Sequence, residues 1–227
     1  MNPHSAEVNY TSQKTERSLV VLKPDAVLRR QIGVNVLKAL KKLPGASILA
    51  FKEFDLPEEL AKQLYAEHEG KIFYPSLIEM MTSPIGVIAI AMEGPGIVSS
   101  IRDLLGPTFV ERAKTVKGCL RGKYGIVKGV NVAYASDSTA DGSRNIDLFV
   151  TESKLVIDKA PAAKALDSYI AKWDGKFPDN TKSMQKEAFD VLEALDDVKA
   201  VLQTENRDAS EEDVRSLLKI ILDSLLN

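Results

Sequence analysis

Asn131-Val132-Ala133-Tyr134-Ala135-Ser136-Asp137-Ser138 follows the apolar run Tyr124-Gly125-Ile126-Val127. Ser136 and Asp137 are good helix N-caps, and the residues after them are polar with helical character. The pattern predicts a short strand that delivers one side chain, Tyr134, to the mouth of a helix. Amides and dipole at such a mouth favour an anion such as phosphate.

Composition narrows the choices. The chain has 227 residues, 44% of them hydrophobic and 27% charged, enough for one large domain or one domain with an appendage. A net charge of -2 gives no whole-chain reason to expect a specific nucleic acid or an anionic membrane as partner. No apolar run approaches the roughly 20 residues of a spanning helix. Residues 1–17 are polar, read as a flexible leader without a secretory signal. The single cysteine, Cys119, excludes an internal disulfide and suits a reducing compartment, so the expected location is cytoplasmic. The two histidines are His4 and His68.

Taken in order, Ser18 to Leu22 reads as a buried strand ended by Lys23-Pro24-Asp25. A helix over Ile32 to Leu43 stops at Pro44-Gly45, and Ser47 to Phe54 is a second strand. Pro57, Glu58 and Glu59 open a helix that runs to about Glu69, and Tyr74 to Met81 is a short helix. Ile85 to Met92 is the most strand-like run, broken by Gly94-Pro95-Gly96 before a helix over Ile97 to Leu105. Gly106 to Gly122 reads as a long loop, 124–134 as strands, and Ser138 to Val150 as a helix. This βαββαβ order predicts an α+β, ferredoxin-like sandwich.

Beyond Thr151 the pattern becomes helical. Ala162 to Ala171 suits a helix. Met184, Ala188, Val191, Leu195, Val198 and Leu202 form an apolar stripe. Ser210 with Asp213 resembles a capping box opening a second helix with Val214, Leu217, Ile221 and Leu225 on one face. The short link between them predicts an antiparallel helical hairpin over about 181–226. Its stripes should pack on the core, on each other or on another protein.

A second segment, Leu19-Val20-Val21-Leu22-Lys23-Pro24-Asp25-Ala26-Val27, joins the first in resembling the nucleoside diphosphate kinase family. That family carries K-P-D-[GA]-V after an apolar strand and, later, N-x-x-H-[GA]-S-D-S. The resemblance covers about 18–150, leaving 151–227 as a helical extension, and it implies the ferredoxin-like fold. It also implies binding of nucleoside di- and triphosphates, magnesium carried with the nucleotide, and a homo-oligomer.

Residue by residue, the resemblance places Lys23 at the phosphates and sugar, and Tyr65 near the reacting phosphate. Phe73 stacks on the base, with Leu77 beneath it. Lys71 stands where the family usually has arginine, which keeps the charge and loses the bidentate fork. Arg102 and Thr108, in Arg102-Asp103-Leu104-Leu105-Gly106-Pro107-Thr108, match phosphate contacts, as does Arg121, while Asn131 matches a sugar contact. Lys128 stands near the base site where the family often has valine. Because stacking tolerates any base, little discrimination among bases is expected.

Two departures concern the chemistry. The family's phosphate-carrying histidine corresponds to Tyr134, and the glutamate that orients it, eleven residues on, corresponds to Asn145. A neutral imidazole is nucleophilic at pH 7, whereas a phenol, with pKa about 10, must first lose a proton. An aryl phosphate requires that cations such as Lys23, Arg102 and Arg121 depress that pKa. His4, in the leader, and His68, expected on a surface, match neither role. The expectation is a nucleotide-binding protein without ordinary phosphohistidine transfer. Two alternatives stay open: exchange by a non-histidine route, through Tyr134 or between two bound substrates, and an adaptor acting through 181–226.

Overall fold

The computed structural model describes residues 14–226. Most of the expected leader, with His4, lies outside the described residues, and its last part opens the first strand. Strand β1 (Thr15–Leu22) pairs antiparallel with β3 (Val87–Pro95) on one side and with β4 (Ala133–Ala135) on the other. Strand β2 (Ser47–Phe54) pairs with the far edge of β3, giving the order β2-β3-β1-β4. This four-stranded antiparallel sheet with helices on both faces is the ferredoxin-like α+β sandwich.

Alternation along β1 splits its side chains between two cores. Val20 and Leu22 join Ile88, Ile90 and Met92 beneath α2 (Arg30–Lys41), α5 (Ile97–Leu105) and α9 (Lys159–Trp173). Leu19 and Val21 join Ala89 and Ala91 beneath α3 (Glu58–Leu64), α4 (Tyr74–Met81) and α8 (Thr139–Ser153). Burial on both faces explains why the strand reads as a continuous apolar run. Helix α8 lies so close to β1 that a Cβ on Gly142 would sit 1.9 Å from the Arg17 carbonyl oxygen. Helix α9 belongs to the same compact unit, which extends to Asp179.

Several local expectations need correction. The helix from Glu58 stops at Leu64 and gives way to a 3-10 turn, Ala66–His68, followed by Gly70 at φ 76°. Strand β3 runs on through Gly94-Pro95, and the break comes at left-handed Gly96. The loop after Gly106 contains α6 (Val110–Ala113) and α7 (Leu120–Tyr124), so Tyr124 is helical. Between α7 and β4 only an isolated bridge, Val127 to Val130, is strand-like among the described residues. The helix cap is Ser138, whose Oγ accepts from Asp141 N. Ser136 does not serve, because its Oγ is engaged elsewhere, accepting from Leu19 N and from Asn145 Nδ2, each at 3.2 Å.

Residues from Asn180 onward form a second compact unit. It holds α10 (Thr181–Glu205) and α11 (Glu211–Leu226), which contact each other. The capping box at its turn is reciprocal: Asp213 N donates to Ser210 Oγ and Ser210 N donates to Asp213 Oδ2, both at 3.1 Å. Val214 is buried, and Leu192, Leu195, Leu218 and Ile221 are half-buried. Val191, Val198 and Leu217, expected on the inward stripes, are exposed.

Candidate functional site

One cleft, with a volume of about 600 Å³, opens where β1, β4, α4 and the 106–131 segment converge. Lys23, Tyr65, Phe73, Leu77, Arg102, Thr108, Arg121, Asn131 and Tyr134 all line it. Lys71 does not: its Nζ lies 3.0 Å from His68 Nδ1. Its neighbour His68 does line the cleft, packed against Tyr65 and edge-on to Phe73, which corrects the expected surface position. Phe109 and Asp137 are lining residues that the sequence reading passed over. An exposed aromatic directly after Thr108 was the available signal for Phe109.

The floor is built from β1 running into α1 (Pro24–Leu28). Pro24 takes the first helical position, where a missing N–H costs nothing. Lys23 is thereby held at the strand end, with Nζ donating to Gly129 O at 3.1 Å. Burial pushes its pKa down to about 8, opposed in part by Asp25 and reinforced by Arg121. Asp25 accepts from Val132 N at 3.1 Å, and burial pushes its carboxyl pKa up. Val132 sits at φ 71°, an unusual conformation for a β-branched residue. The Asp25 bond and the Lys23 N–H to Val132 O bond (2.9 Å) hold that strained residue two positions before Tyr134.

Arg121 is fixed by two backbone acceptors, Gly106 O at 2.7 Å and Ala133 O at 2.9 Å. Its pKa falls to about 10, chiefly through burial and then through the Arg102 guanidinium. Asn131 Nδ2 donates to Thr108 O at 2.6 Å. Three buried polar atoms of the lining residues have no partner among the described residues: Tyr65 OH, Arg121 Nε and Asn131 Oδ1. Buried polar groups are ordinarily paired, so this cluster fits a site that takes a polar ligand. Arg102 is in an ion pair with Asp137.

Tyr134 lines the same cleft. Its ring meets Tyr65 edge-on at 5.4 Å between centroids. Its hydroxyl accepts a hydrogen bond from Asn145 Nδ2 at 2.8 Å, and the same amide donates to Ser136 Oγ at 3.2 Å. Burial is the main cause that pushes the Tyr134 pKa up to about 12, with Asp141 and Glu67 adding to it against the Asn145 bond. The depression that the three cations would have to supply is therefore reversed. Near pH 7 only about one phenol in 100,000 would be ionised.

Magnesium would have to fit this donor set. Among the described residues no group of three or more His, Cys, Asp or Glu is placed to hold a metal. Among the described residues the carboxylates lining the cleft are Glu67 and Asp137, alongside Lys23, Arg102 and Arg121. Such a set suits a metal held mainly by phosphate oxygens.

The α+β sandwich thus carries one cleft that is cationic inside and aromatic at its mouth. The sequence model described as nucleoside diphosphate kinase matches residues 16–155, and the chain belongs to that family. A nucleoside diphosphate kinase of Rhodopirellula baltica is 44% identical over 134 residues, covering 59% of this chain and 85% of the relative. One from Methanothermobacter thermautotrophicus is 38% identical over 146 residues, covering 64% and 94%. Among solved structures, a halophilic nucleoside diphosphate kinase from Halobacterium salinarum in complex with CDP superposes with a TM-score of 0.56 at 34% identity. That match covers 67% of this chain and 99% of the solved one.

Proposed function

We propose that a domain spanning 18–150 binds nucleoside di- and triphosphates in this cleft and has lost ordinary phosphohistidine-based exchange. The observation that carries the proposal is a cleft lined by Lys23, Arg102 and Arg121 in which the side chain at the family's histidine position is the Tyr134 hydroxyl. A hydroxyl whose pKa is raised to about 12 is a poor nucleophile at neutral pH. In this reading Lys23, Arg102, Thr108 and Arg121 hold the phosphates, Asn131 the sugar, and Phe73 with Leu77 the base. Tyr65 lies beside the reacting end, and Lys71 adds charge from the rim. Magnesium, where present, enters on the phosphates and screens their charge.

Asn145 replaces a charged orienter with an amide that donates to Tyr134. An amide cannot stabilise a cationic imidazolium, so nucleophile and orienter are changed together. A homo-oligomer in the cytoplasm remains the expected setting; no helix among the described residues is long and apolar enough to cross a membrane. A second reading has support of its own. The helical hairpin over about 181–226 acts as an adaptor, because Val191, Val201 and Ile220 stay exposed on it.

The experiment is calorimetry of the full chain with ATP and GDP in magnesium, with phosphate exchange assayed in parallel. Binding without exchange is expected, with exchange gained by the Tyr134→His, Asn145→Glu double variant. Appreciable exchange by the natural protein would overturn the loss of activity. Phosphotyrosine at 134 after incubation with ATP would identify the route.

A further inference from the structure

We propose that Lys128 reads the edge of the bound base and makes the cleft prefer keto bases (guanine, uracil, thymine) over amino bases (adenine, cytosine). The inference rests on the nucleotide-binding reading above and supplies its substrate class.

Lys128 occupies a tight turn closed by Val130 N donating to Val127 O at 2.9 Å and Ile126 N donating to Val130 O at 2.8 Å. Gly129 is adjacent, yet the left-handed conformation falls on the lysine, at φ 46°. A non-glycine residue there costs on the order of 1 kcal/mol, and it persists only where its surroundings hold it. Two bonds do so. Lys128 N donates to Glu111 Oε1 at 2.9 Å, and Val110 N donates to Lys128 O at 3.2 Å. The turn is thus clamped to the start of α6, immediately beside Phe109.

The cleft's other cations are committed. Lys23 and Arg121 are bound to backbone carbonyls inside, and Arg102 is paired with Asp137. Lys128 is exposed, and its ammonium meets no carboxylate among the described residues. Its neighbours in the cleft wall include the two exposed aromatics, Phe109 at 58% and Phe73 at 45% exposure. Rings open to solvent at a cleft mouth offer the surface on which a base would stack. A long cationic side chain rooted beside one of those rings reaches the base's edge, with the phosphates drawn to the interior cations.

An ammonium carries three donors and no acceptor. Guanine presents O6 and N7, both acceptors, and uracil or thymine presents O4. Adenine shares N7 with guanine, but adenine and cytosine place an amino donor where the other bases have the keto oxygen, which leaves donor facing donor at that position. Stacking alone would not distinguish these bases; the lysine does.

The test is calorimetry of the full chain in magnesium with GDP, UDP, ADP and CDP, for the natural protein and for Lys128→Met and Lys128→Gly. Glycine relaxes the left-handed turn, so the pair separates loss of charge from strain. The natural protein should bind GDP and UDP about tenfold tighter than ADP and CDP. Both variants should bring all four within about twofold while keeping ADP binding. Equal binding of the four by the natural protein overturns the inference. So does an equal loss for all four in the variants, which would put the ammonium on the phosphates. Failure of the natural protein to bind any of the four would instead overturn the nucleotide-binding reading, and this inference with it.

Discussion

Lys23 offers a quantitative test of the cleft through pH. Its ammonium is buried, and its pKa is lowered to about 8 in the empty protein. Phosphates beside it favour the charged form, so in the complex the pKa rises and the proton is retained. The sign follows from these two states. Below pH 8 the free lysine is already charged, and binding takes up no proton. Above pH 8 the free lysine is neutral, and binding must recharge it. If only the charged form binds, affinity for ADP should fall about 25-fold between pH 7.5 and 9.5. ADP is the probe because adenine does not titrate in this window. Arg121, with its pKa at about 10, stays charged through most of that range, and Tyr134, at about 12, stays neutral. The assay is calorimetry in buffers of differing ionisation enthalpy, which counts protons directly. About 0.8 proton should be taken up at pH 8.5, and Lys23→Arg should flatten the profile. An affinity independent of pH over this range, with no proton uptake, would refute the placement of Lys23 against phosphate. The same shift has a consequence for the empty protein. The unfolded chain holds this proton up to about pH 10.5, so the Lys23 contribution makes folding more favourable as pH rises from 8 to 10.5.

Two further substitutions test the site and the fold separately. Asp137→Asn frees Arg102 from its ion pair, and since both side chains are about half exposed the gain in ADP affinity should be modest, about two- to fivefold by calorimetry; a loss of affinity would mean that the carboxylate itself serves the ligand. Gly142→Ala forces a Cβ to within 1.9 Å of the Arg17 carbonyl, so urea denaturation should show a loss of about 3 kcal/mol or more, and an unchanged midpoint would mean that α8 can lift from β1 at little cost.

The motif-bearing parts of the molecule were legible because each is a local signal. Lys23-Pro24-Asp25 announces a strand end, which occurs where the sequence places it, while the short helix α1 that begins at Pro24 carries too few residues to show a period. Nine of the ten residues named for the site converge on one cleft, because each belongs to a short motif that can be matched residue by residue, even where, as at Thr108, Arg121 and Asn131, no regular element was readable. What escaped was set by long-range geometry. Ser136 looks like a helix cap until β4 pairs with β1 and turns its Oγ to Leu19 N and Asn145 Nδ2. Helices α6 and α7 are only four and five residues long, too short for a periodic pattern to emerge. The hairpin's inward face rotated away from the expected stripe because several neighbouring positions on α10 and α11 are apolar. The upward shift of the Tyr134 pKa was not legible for a related reason: nearby cations can be inferred from motifs, but burial cannot.

That last point bears on how the tyrosine and the asparagine belong together. A phenol in a buried, cation-lined site has to satisfy a hydroxyl oxygen without ionising. A glutamate at position 145 would bring a second negative charge beside any phenolate and would compete with phosphate for the cations. An amide avoids both costs, donating to the Tyr134 oxygen at 2.8 Å and to Ser136 Oγ from the same nitrogen. Restoring histidine alone would leave an amide that donates toward the ring where a charged acceptor is needed. The two changes therefore form one unit, and the Asn145→Glu component of the double variant should contribute to exchange only when Tyr134→His is also present.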